Sequence, residues 1–297
     1  MTDLKHSIDS KRQLLQNAVL NWATGQLREY PWRKGGRNPY EILVAELLLK
    51  RTTATAVARI YDDFLHRFPS LKAFNEVSEE ELASALSRVG LHRQRAKSIK
   101  ALAQYLTKAE KGNIPGDLHR LLAIPGIGEY SARAVLSFGF GFPVAVLDVN
   151  VERILARVFQ NFLPPRAPQS LLQELADALI ARGSHRDYNL AMLDLGALVC
   201  RYVDPRCKEC PLGPICDYRN LTKDGLIKEK PGRYETSIGR TIRGLRQEKC
   251  ISLAKLAHLS GVSKLTIIRI ESGRSSPRPE TLRKIANALN VESCQLR

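Results

Sequence analysis

The stretch LLAIPGIGEYSARA, residues 121–134, decides the fold because it places a turn between two segments of helical pattern. The turn consists of Pro125, Gly126, Ile127 and Gly128. Its glycines let the backbone approach another chain closely, and N–H groups beside a helix N-terminus bind anions. A phosphate group is therefore the expected ligand of this turn. A plain helix–helix connection can contain two glycines as well, so both interpretations stay open on this stretch alone.

An aspartate follows the turn in VLDVNVERILAR, residues 146–157, where Asp148 stands directly before a predicted helix. The local sequence is typical of an N-cap, since an aspartate side chain accepts hydrogen bonds from the first N–H groups of a helix. A capping carboxylate can also serve a reaction, so the structural and chemical roles are compatible at this position.

Helical periodicity extends over most of the chain outside this stretch. Apolar residues recur three and four positions apart, as in RAKSIKALAQYL, residues 95–106. Ser78 with Glu81, and Ser170 with Gln173, have the form of capping boxes ahead of apolar runs. We find no alternating stretch that would build a sheet. The sequence predicts an all-α protein.

The composition favours a polyanionic partner. The chain has 46 Lys and Arg against 30 Asp and Glu, a formal net charge of +16, which suits nucleic acid or an anionic membrane surface. The longest apolar run, AVLSFGFGFPVAVL at 134–147, contains a proline and is shorter than the roughly 18–20 residues of a membrane-spanning helix. The N-terminal MTDLKHSIDSKRQ is no secretory signal. We expect a cytoplasmic, nucleoid-associated protein without a membrane partner.

Four of the six cysteines lie in CRYVDPRCKECPLGPIC, residues 200–216. In a reducing compartment such a cluster is more often a metal site than a set of disulfides. Thiolates suit both zinc and an iron–sulfur cluster. Cys250 and Cys294 lie outside the pattern. The candidate ligands are Cys200, Cys207, Cys210 and Cys216.

The hairpin, the downstream aspartate and the cysteine loop, in this order, resemble the helix-hairpin-helix superfamily of DNA glycosylases, the endonuclease III superfamily, over residues from about 20 to 218. The resemblance implies a [4Fe-4S] cluster on the four cysteines. It also implies that Gly126 and Gly128 grip the phosphates of double-stranded DNA while a nucleotide is flipped into a pocket between two lobes. Asp148 becomes the catalytic carboxylate, which stabilises the positive charge that develops on the sugar.

The same resemblance implies the domain boundaries. An iron–sulfur helical lobe is expected from residues 1–30 and 143–220, and a six-helix barrel lobe with the hairpin from residues 31–142. A polar linker at 221–235 then precedes a separate basic module at 236–297.

Tyr130 departs from the bifunctional members of this family, which carry a lysine at its place in the hairpin motif. A phenol cannot form the Schiff base through which that lysine cleaves the strand. We therefore expect a monofunctional glycosylase that hydrolyses the glycosidic bond and has no AP-lyase activity. Glu46, among apolar neighbours, is the expected pocket residue that hydrogen-bonds the flipped base or protonates it as it leaves.

The target base follows from the sequence around Glu46. NPYEILVAELLLKRTTA (38–54), together with the segments 91–103 and 187–200, resembles the thymine glycosylases that act on T or U opposite G. Lys50 and Arg51 would fill the gap in the duplex and contact the orphan guanine, although cations at a helix end also favour its dipole. The alternative is an adenine glycosylase acting on A opposite 8-oxoguanine.

The C-terminal segment 252–291 resembles the Cro/cI-type helix-turn-helix family, which implies a five-helix DNA-binding domain and a possible dimer. Ser252 is expected to cap one helix, Gly261 to form the turn, Gly273 to end the second helix and Pro279 to open the next. The expected DNA-contacting residues of the second helix are Ser263, Lys264, Thr266 and Arg269.

Two residues of this module leave its role open. Leu265 and Ile268 occupy positions that are often polar in the family, so they could contact thymine methyl groups, cover a partner protein or mark the loss of sequence reading. A rival hypothesis for the whole chain is a transcriptional regulator whose iron–sulfur domain senses redox state.

Overall fold

A computed structural model describes residues 2–223, 237–249, 251–271, 275 and 277–296, and these residues contain helices and no strand. The all-α prediction is confirmed. The chain divides into two compact units. Unit 1 comprises Met1–Arg201 and Arg206–Asp224, and unit 2 comprises Tyr202–Pro205 and Gly225–Arg297. Within the described residues, no helix is both long and apolar enough to cross a membrane.

Unit 1 is built from helices α1 to α13, with a π-helical turn at Val135–Gly139 between α9 and α10. The helices are α1 (Thr2–Ala23), α2 (Pro39–Leu49), α3 (Ala54–Ala58), α4 (Tyr61–Arg67), α5 (Leu71–Glu76), α6 (Glu79–Ala85), α7 (His92–Ala109), α8 (Leu118–Leu122), α9 (Glu129–Ala134), α10 (Val149–Val158), α11 (Gln169–Leu179), α12 (His185–Leu198) and α13 (Asp217–Lys223). Short 3-10 turns occupy Pro31–Arg33, Arg182–Ser184 and Gly213–Ile215.

Two hydrophobic cores lie within unit 1. One is formed by buried residues between Trp32 and Leu136, with the fully buried rings of Tyr61, Phe68 and Phe74 at its centre. Each such side chain stabilises the fold by about 1.5–3 kcal/mol relative to its exposed state. The second core combines α1 with buried residues from α10, α11 and α12 and the cysteine loop. The lobe boundaries at 30/31 and 142/143 remain predictions.

Polar side chains fix where the helices begin. Asn38 and Glu41 form a reciprocal capping box at α2, and Ser78 and Glu81 form the predicted one at α6. The capping box predicted at Ser170 is wrong. α11 begins at Gln169, directly after the extended Pro168 (φ −61°), so Ser170 already lies inside the first turn. Pro168, with its fixed φ, occupies the N-cap position in place of Ser170, so the helix starts earlier in the sequence than predicted.

Unit 2 has its own core, which combines apolar residues of all its helices. The helices are α14 (Ser237–Glu248), α15 (Leu253–Ser260), α16 (Lys264–Glu271) and α17 (Pro279–Leu289), followed by a 3-10 turn at Ser293–Leu296. These four helices and the final turn correspond to the five expected helical segments.

The predicted helix boundaries of unit 2 hold where the structure describes them. Ser252 caps α15, Gly261 ends it at φ 64°, and Pro279 is the first residue of α17. Gly273 lies outside the described residues. Of the linker predicted at 221–235, residues 221–223 belong to α13 and the rest lies outside the described residues.

Candidate active site

A cleft of about 470 Å³ in unit 1 brings Glu46, Tyr130 and Asp148 together. These residues come from α2, from α9 directly after the hairpin turn, and from the start of α10. Its volume is that of a small-molecule pocket. The remaining lining residues are Arg28, Tyr30, Trp32, Arg33, Ile42, Ala45, Leu49, Thr52, Ala54, Phe138, Asn150, Arg186, Leu190 and Leu193.

The carboxylate of Asp148 is held in one orientation. Its Oδ1 accepts hydrogen bonds from the backbone N–H groups of Asn150 and Val151, both at 2.8 Å, and its Oδ2 accepts one from Asn150 Nδ2 at 2.7 Å. Asp148 is therefore the N-cap of α10 and lines the cleft as well.

Glu46 is almost fully buried, with 7% of its surface exposed, although α2 is otherwise apolar around it. Ser131 Oγ donates a hydrogen bond to Glu46 Oε2 at 3.1 Å. Burial raises the pKa of Glu46 to about 7, against the smaller opposing effects of this hydrogen bond and of the Lys50 charge. The carboxyl group can therefore hold a proton near neutral pH, as a general acid must.

Tyr130 lies close to both carboxylates. Burial raises its pKa well above the ordinary value, and the negative charges of Glu46 and Asp148 raise it further. The side chain is thus a protonated phenol at neutral pH, able to donate a hydrogen bond but lacking the amine of an imine-forming nucleophile.

The extended segment that leads to Asp148 depends on Asn189 of α12, which is 2% exposed. Asn189 Oδ1 accepts a hydrogen bond from the Val146 N–H at 3.1 Å, while its Nδ2 donates to Val144 O and Ser137 Oγ, each at 2.9 Å. A buried segment outside regular structure needs such side-chain partners for its backbone groups. Asn189 was not among the residues predicted from the sequence.

Asp194 was missed as well, although it organises one wall of the cleft. This residue is fully buried, and its carboxylate accepts hydrogen bonds from Arg33 at 2.7 and 3.0 Å and from Arg28 Nε at 2.8 Å. Burial opposes ionisation, but the hydrogen bonds from the two arginines outweigh it and lower the pKa of Asp194. A single acid in the apolar sequence LAMLDLGAL was the available clue.

Arg95 of α7 holds the segment after α2 in place. The residue is buried, with 7% of its surface exposed. Its guanidinium donates to Leu47 O, to Lys50 O at 2.8 Å and to Thr52 Oγ1 at 2.9 Å. Arg51, held in the left-handed region at φ 54°, is exposed. Nothing in the local sequence around Arg95 distinguishes it from a solvent-facing arginine.

Lys50 connects this segment to the hairpin turn, because its amino group donates to Gly126 O. Gly126 has φ 81°, a conformation that requires glycine, and Gly128 precedes α9 as its N-cap. The structure thus brings Lys50, Gly126 and Gly128 to one region, with Arg51 next in sequence.

The four thiols of the cysteine loop form no disulfide bond, and those of Cys200, Cys207 and Cys216 lie close enough to Cys210 to affect its ionisation. Burial raises the pKa of Cys210 and of Cys216 to about 11, and neighbouring thiols raise both further. Arg157 donates a hydrogen bond to Cys200 Sγ at 3.2 Å. Among the described residues, no group of three or more Cys, His, Asp or Glu side chains is arranged to hold a metal ion.

In unit 2, the predicted DNA-contacting residues lie at and along α16, the second helix after the Gly261 turn. Ser263 Oγ accepts the Thr266 N–H at 3.1 Å and shares a hydrogen bond with Thr266 Oγ1 at 2.8 Å. Lys264 and Arg269 are exposed on the same helix.

Comparisons with protein families match both units. The model described as HhH-GPD superfamily base excision DNA repair protein covers residues 44–188, and a helix-turn-helix model covers residues 242–296. The chain is 33% identical to the thymine/uracil-DNA glycosylase of Methanothermobacter thermautotrophicus over 71% of its own length and 95% of that protein. It is 32% identical to an adenine DNA glycosylase of Mycobacterium tuberculosis over 80% and 79% of the two chains.

Comparisons with solved structures agree. A thermostable thymine-DNA glycosylase superposes with a TM-score of 0.67 at 32% identity, covering 71% of this chain and 98% of that one. A non-covalent endonuclease III–DNA complex shares the fold at 22% identity and a TM-score of 0.59, over 75% of this chain and 98% of that one.

Proposed function

Because the chain belongs to the helix-hairpin-helix superfamily of base excision DNA repair proteins and is a DNA glycosylase, we propose that unit 1 releases thymine or uracil mispaired with guanine from double-stranded DNA. The observation that carries the proposal is the convergence of Glu46, Tyr130 and Asp148 on one cleft. The bond broken is the N-glycosidic bond of a nucleotide flipped out of the duplex.

Asp148 is the residue we assign to the sugar. Three hydrogen bonds fix its carboxylate, so it needs no reorganisation when positive charge develops on the sugar as the base departs. The same carboxylate would direct the water that completes the hydrolysis.

Glu46 acts on the base in this proposal. It holds a proton near pH 7 and gives it to the leaving base, which would otherwise depart as an anion. The phenol of Tyr130 stays protonated close to both carboxyl groups, so it can donate a hydrogen bond within the cleft.

The proposed grip on DNA uses the region around the hairpin. The N–H groups after Gly126 and Gly128 would bind backbone phosphates, because a helix N-terminus attracts anions. Lys50 and Arg51 follow α2, and the exposed guanidinium of Arg51 matches the major-groove acceptors of an orphan guanine.

Relatives support thymine or uracil as the target base. In addition to the Methanothermobacter protein, a thymine-DNA glycosylase of Aeropyrum pernix is 36% identical over 65% of this chain and 88% of that protein. The adenine DNA glycosylase of M. tuberculosis has a similar level of identity, so an adenine-containing duplex belongs in the test.

We further propose that Cys200, Cys207, Cys210 and Cys216 hold a [4Fe-4S] cluster. Four reduced thiols in electrostatic contact are a donor set that suits iron and sulfide. When bound, the cluster would join the loop to the second core of unit 1 and stabilise this part of the fold.

The test compares duplexes with G·T, G·U and A·8-oxoguanine pairs, each incubated with the protein and then heated in alkali, which cleaves at abasic sites. We expect cleavage of the G·T and G·U strands and none with Asp148→Asn. Cleavage of the 8-oxoguanine duplex alone would contradict the assignment of the base.

Borohydride tests the absence of lyase activity. Because Tyr130 offers no amine, we expect no covalent enzyme–DNA adduct after reduction, and no strand break before alkali. A Tyr130→Lys variant is the matched positive control for trapping. An adduct with the unmodified protein would show that another amine attacks the sugar.

A further inference from the structure

The second helix of unit 2 exposes a large apolar side chain. Leu265 of α16 is 57% exposed, whereas Ile267 and Ile270 of the same helix are buried in the core of the unit. Leu265 therefore contributes nothing to that core. An exposed apolar side chain of this size indicates a contact with another molecule.

The surroundings of Leu265 are positively charged. Lys264 precedes it, and Arg269 lies one helical turn later on the same face. Glu271, the one acid in α16, is buried and paired with Arg246 at 2.6 Å, so this helix exposes no carboxylate. Across residues 236–297 the sequence has 12 Lys and Arg against 4 Asp and Glu. This charge matches a nucleic acid.

The hydroxyl groups at the start of α16 are already engaged. The hydroxyls of Ser263 and Thr266 share a hydrogen bond at 2.8 Å, and Ser263 Oγ also accepts one from the backbone N–H of Thr266 at 3.1 Å. They are therefore less suited to read base edges by hydrogen bonds. Of the two exposed side chains between them, Lys264 is charged and Leu265 is apolar. An apolar side chain in the major groove meets one matching group, the C5-methyl of a pyrimidine.

We propose that Leu265 contacts C5-methyl groups of pyrimidines, so that unit 2 binds duplexes carrying them more tightly than the same duplexes without them. Thymine and 5-methylcytosine present this methyl group identically. Second helices of helix-turn-helix units lie in the major groove, where it is displayed.

This inference rests on the proposed function and extends it. Hydrolytic deamination of 5-methylcytosine paired with guanine consumes water, releases ammonia and leaves thymine opposite guanine. That is the mispair assigned to unit 1. A methyl-reading unit 2 would keep the glycosylase on DNA where such mispairs form, through the effective concentration of the second unit.

The experiment measures binding of the full chain to fully paired duplexes of one sequence in three versions. The first contains thymine and cytosine, the second has uracil in place of thymine, and the third has 5-methylcytosine in place of cytosine. All variants carry Asp148→Asn, and base release is monitored separately, so failure of the glycosylase assignment and failure of methyl recognition are distinguishable.

We expect each contacted methyl group to tighten binding about fourfold, the effect of burying one carbon. Leu265→Ala should bring the three duplexes within about twofold of one another. Leu259→Ala is the matched control, because Leu259 is 51% exposed but lies on α15. Circular dichroism checks that both variants fold. Tighter binding in only one comparison, either thymine over uracil or 5-methylcytosine over cytosine, supports the proposal and shows which base supplies the contacted methyl group.

Equal binding of all three duplexes by the Asp148→Asn chain would overturn the proposal, and so would an unchanged preference in Leu265→Ala. Sedimentation tests the rival role of this face. If Leu265→Ala dissociates an oligomer and leaves the duplex preference intact, the face binds protein and the proposal is wrong.

Discussion

Glu46 shows how the environment of a single residue sets the chemistry of the cleft. An exposed glutamate would be ionised at neutral pH, but burial raises the pKa of this one to about 7. The proton is present below that pH and is lost as the pH rises through it. A reaction that needs the protonated acid should therefore slow on the alkaline side.

The pH dependence of base release tests this role. We expect the single-turnover rate to fall about tenfold per pH unit above about pH 7, and Glu46→Gln to abolish that dependence while lowering the rate by about 10²–10⁴-fold. Ser131→Ala is an informative companion variant. It removes the hydrogen bond that lowers the pKa of Glu46, so the decline should begin at higher pH. An alkaline rate that stays flat in the wild type would contradict the acid role.

Asp194 gives a prediction about stability. Asp194→Asn leaves Arg28 and Arg33 without their buried counter-charge, which should lower the free energy of unfolding by about 3–5 kcal/mol. Urea denaturation measures the change. Asp187→Asn on the same helix is the control, since its exposed pair with Arg186 at 3.6 Å should contribute less than about 1 kcal/mol.

Among the elements, helices with a clear apolar face were predictable from the sequence and irregular segments were not. Periodicity identifies α7 and α10 because one face of each is buried in a core. It cannot show the π-helical turn at Val135–Gly139 or the extended path to Asp148, since both depend on partners distant in sequence such as Asn189.

The candidate site divides in the same way. Glu46, Tyr130 and Asp148 were predicted because a family resemblance attached roles to local motifs. Arg95 and Asp194 were not, because their importance arises from buried hydrogen bonds to residues more than forty positions away. A charged residue in a helix is usually exposed, and only the packed structure shows the exceptions.

The close approach of α12 to α10 provides a test at this scale. A Cβ added at Gly196 would lie 2.6 Å from Asn150 Cβ, so Gly196→Ala must displace the start of α10, where Asn150 holds Asp148. We expect base release at least tenfold slower, because misplacing a reacting group by about 1 Å can cost about 10²-fold. Gly183→Ala is the control, since no atom lies within 4 Å of its added Cβ. Equal rates in the two variants would show that α10 tolerates the shift.

At the scale of the whole molecule, the cysteine loop is expected to stabilise unit 1. Cys216 is buried beside the second core, so Cys216→Ser should remove bound iron and acid-labile sulfide and lower the melting temperature. Cys294→Ser, outside the loop, is the matched control and should change neither. Iron and sulfide analysis with calorimetry measures both effects. The cluster proposal would be contradicted if the wild-type protein contained no iron or sulfide and had the same melting temperature as Cys216→Ser.

The left-handed backbone at Arg51 has a consequence for the durability of the enzyme. Glycine adopts φ 54° readily, whereas the large side chain of arginine is strained there. Arg51→Gly should therefore raise the free energy of unfolding, measured by urea denaturation, by up to about 1 kcal/mol. The same change should weaken binding to a mispaired duplex. Arg51→Asn, which tolerates this backbone better than arginine, separates the lost cation from the relaxed chain. The variant would thus gain stability and lose affinity for DNA, so the backbone conformation of this one residue sets a compromise between the two.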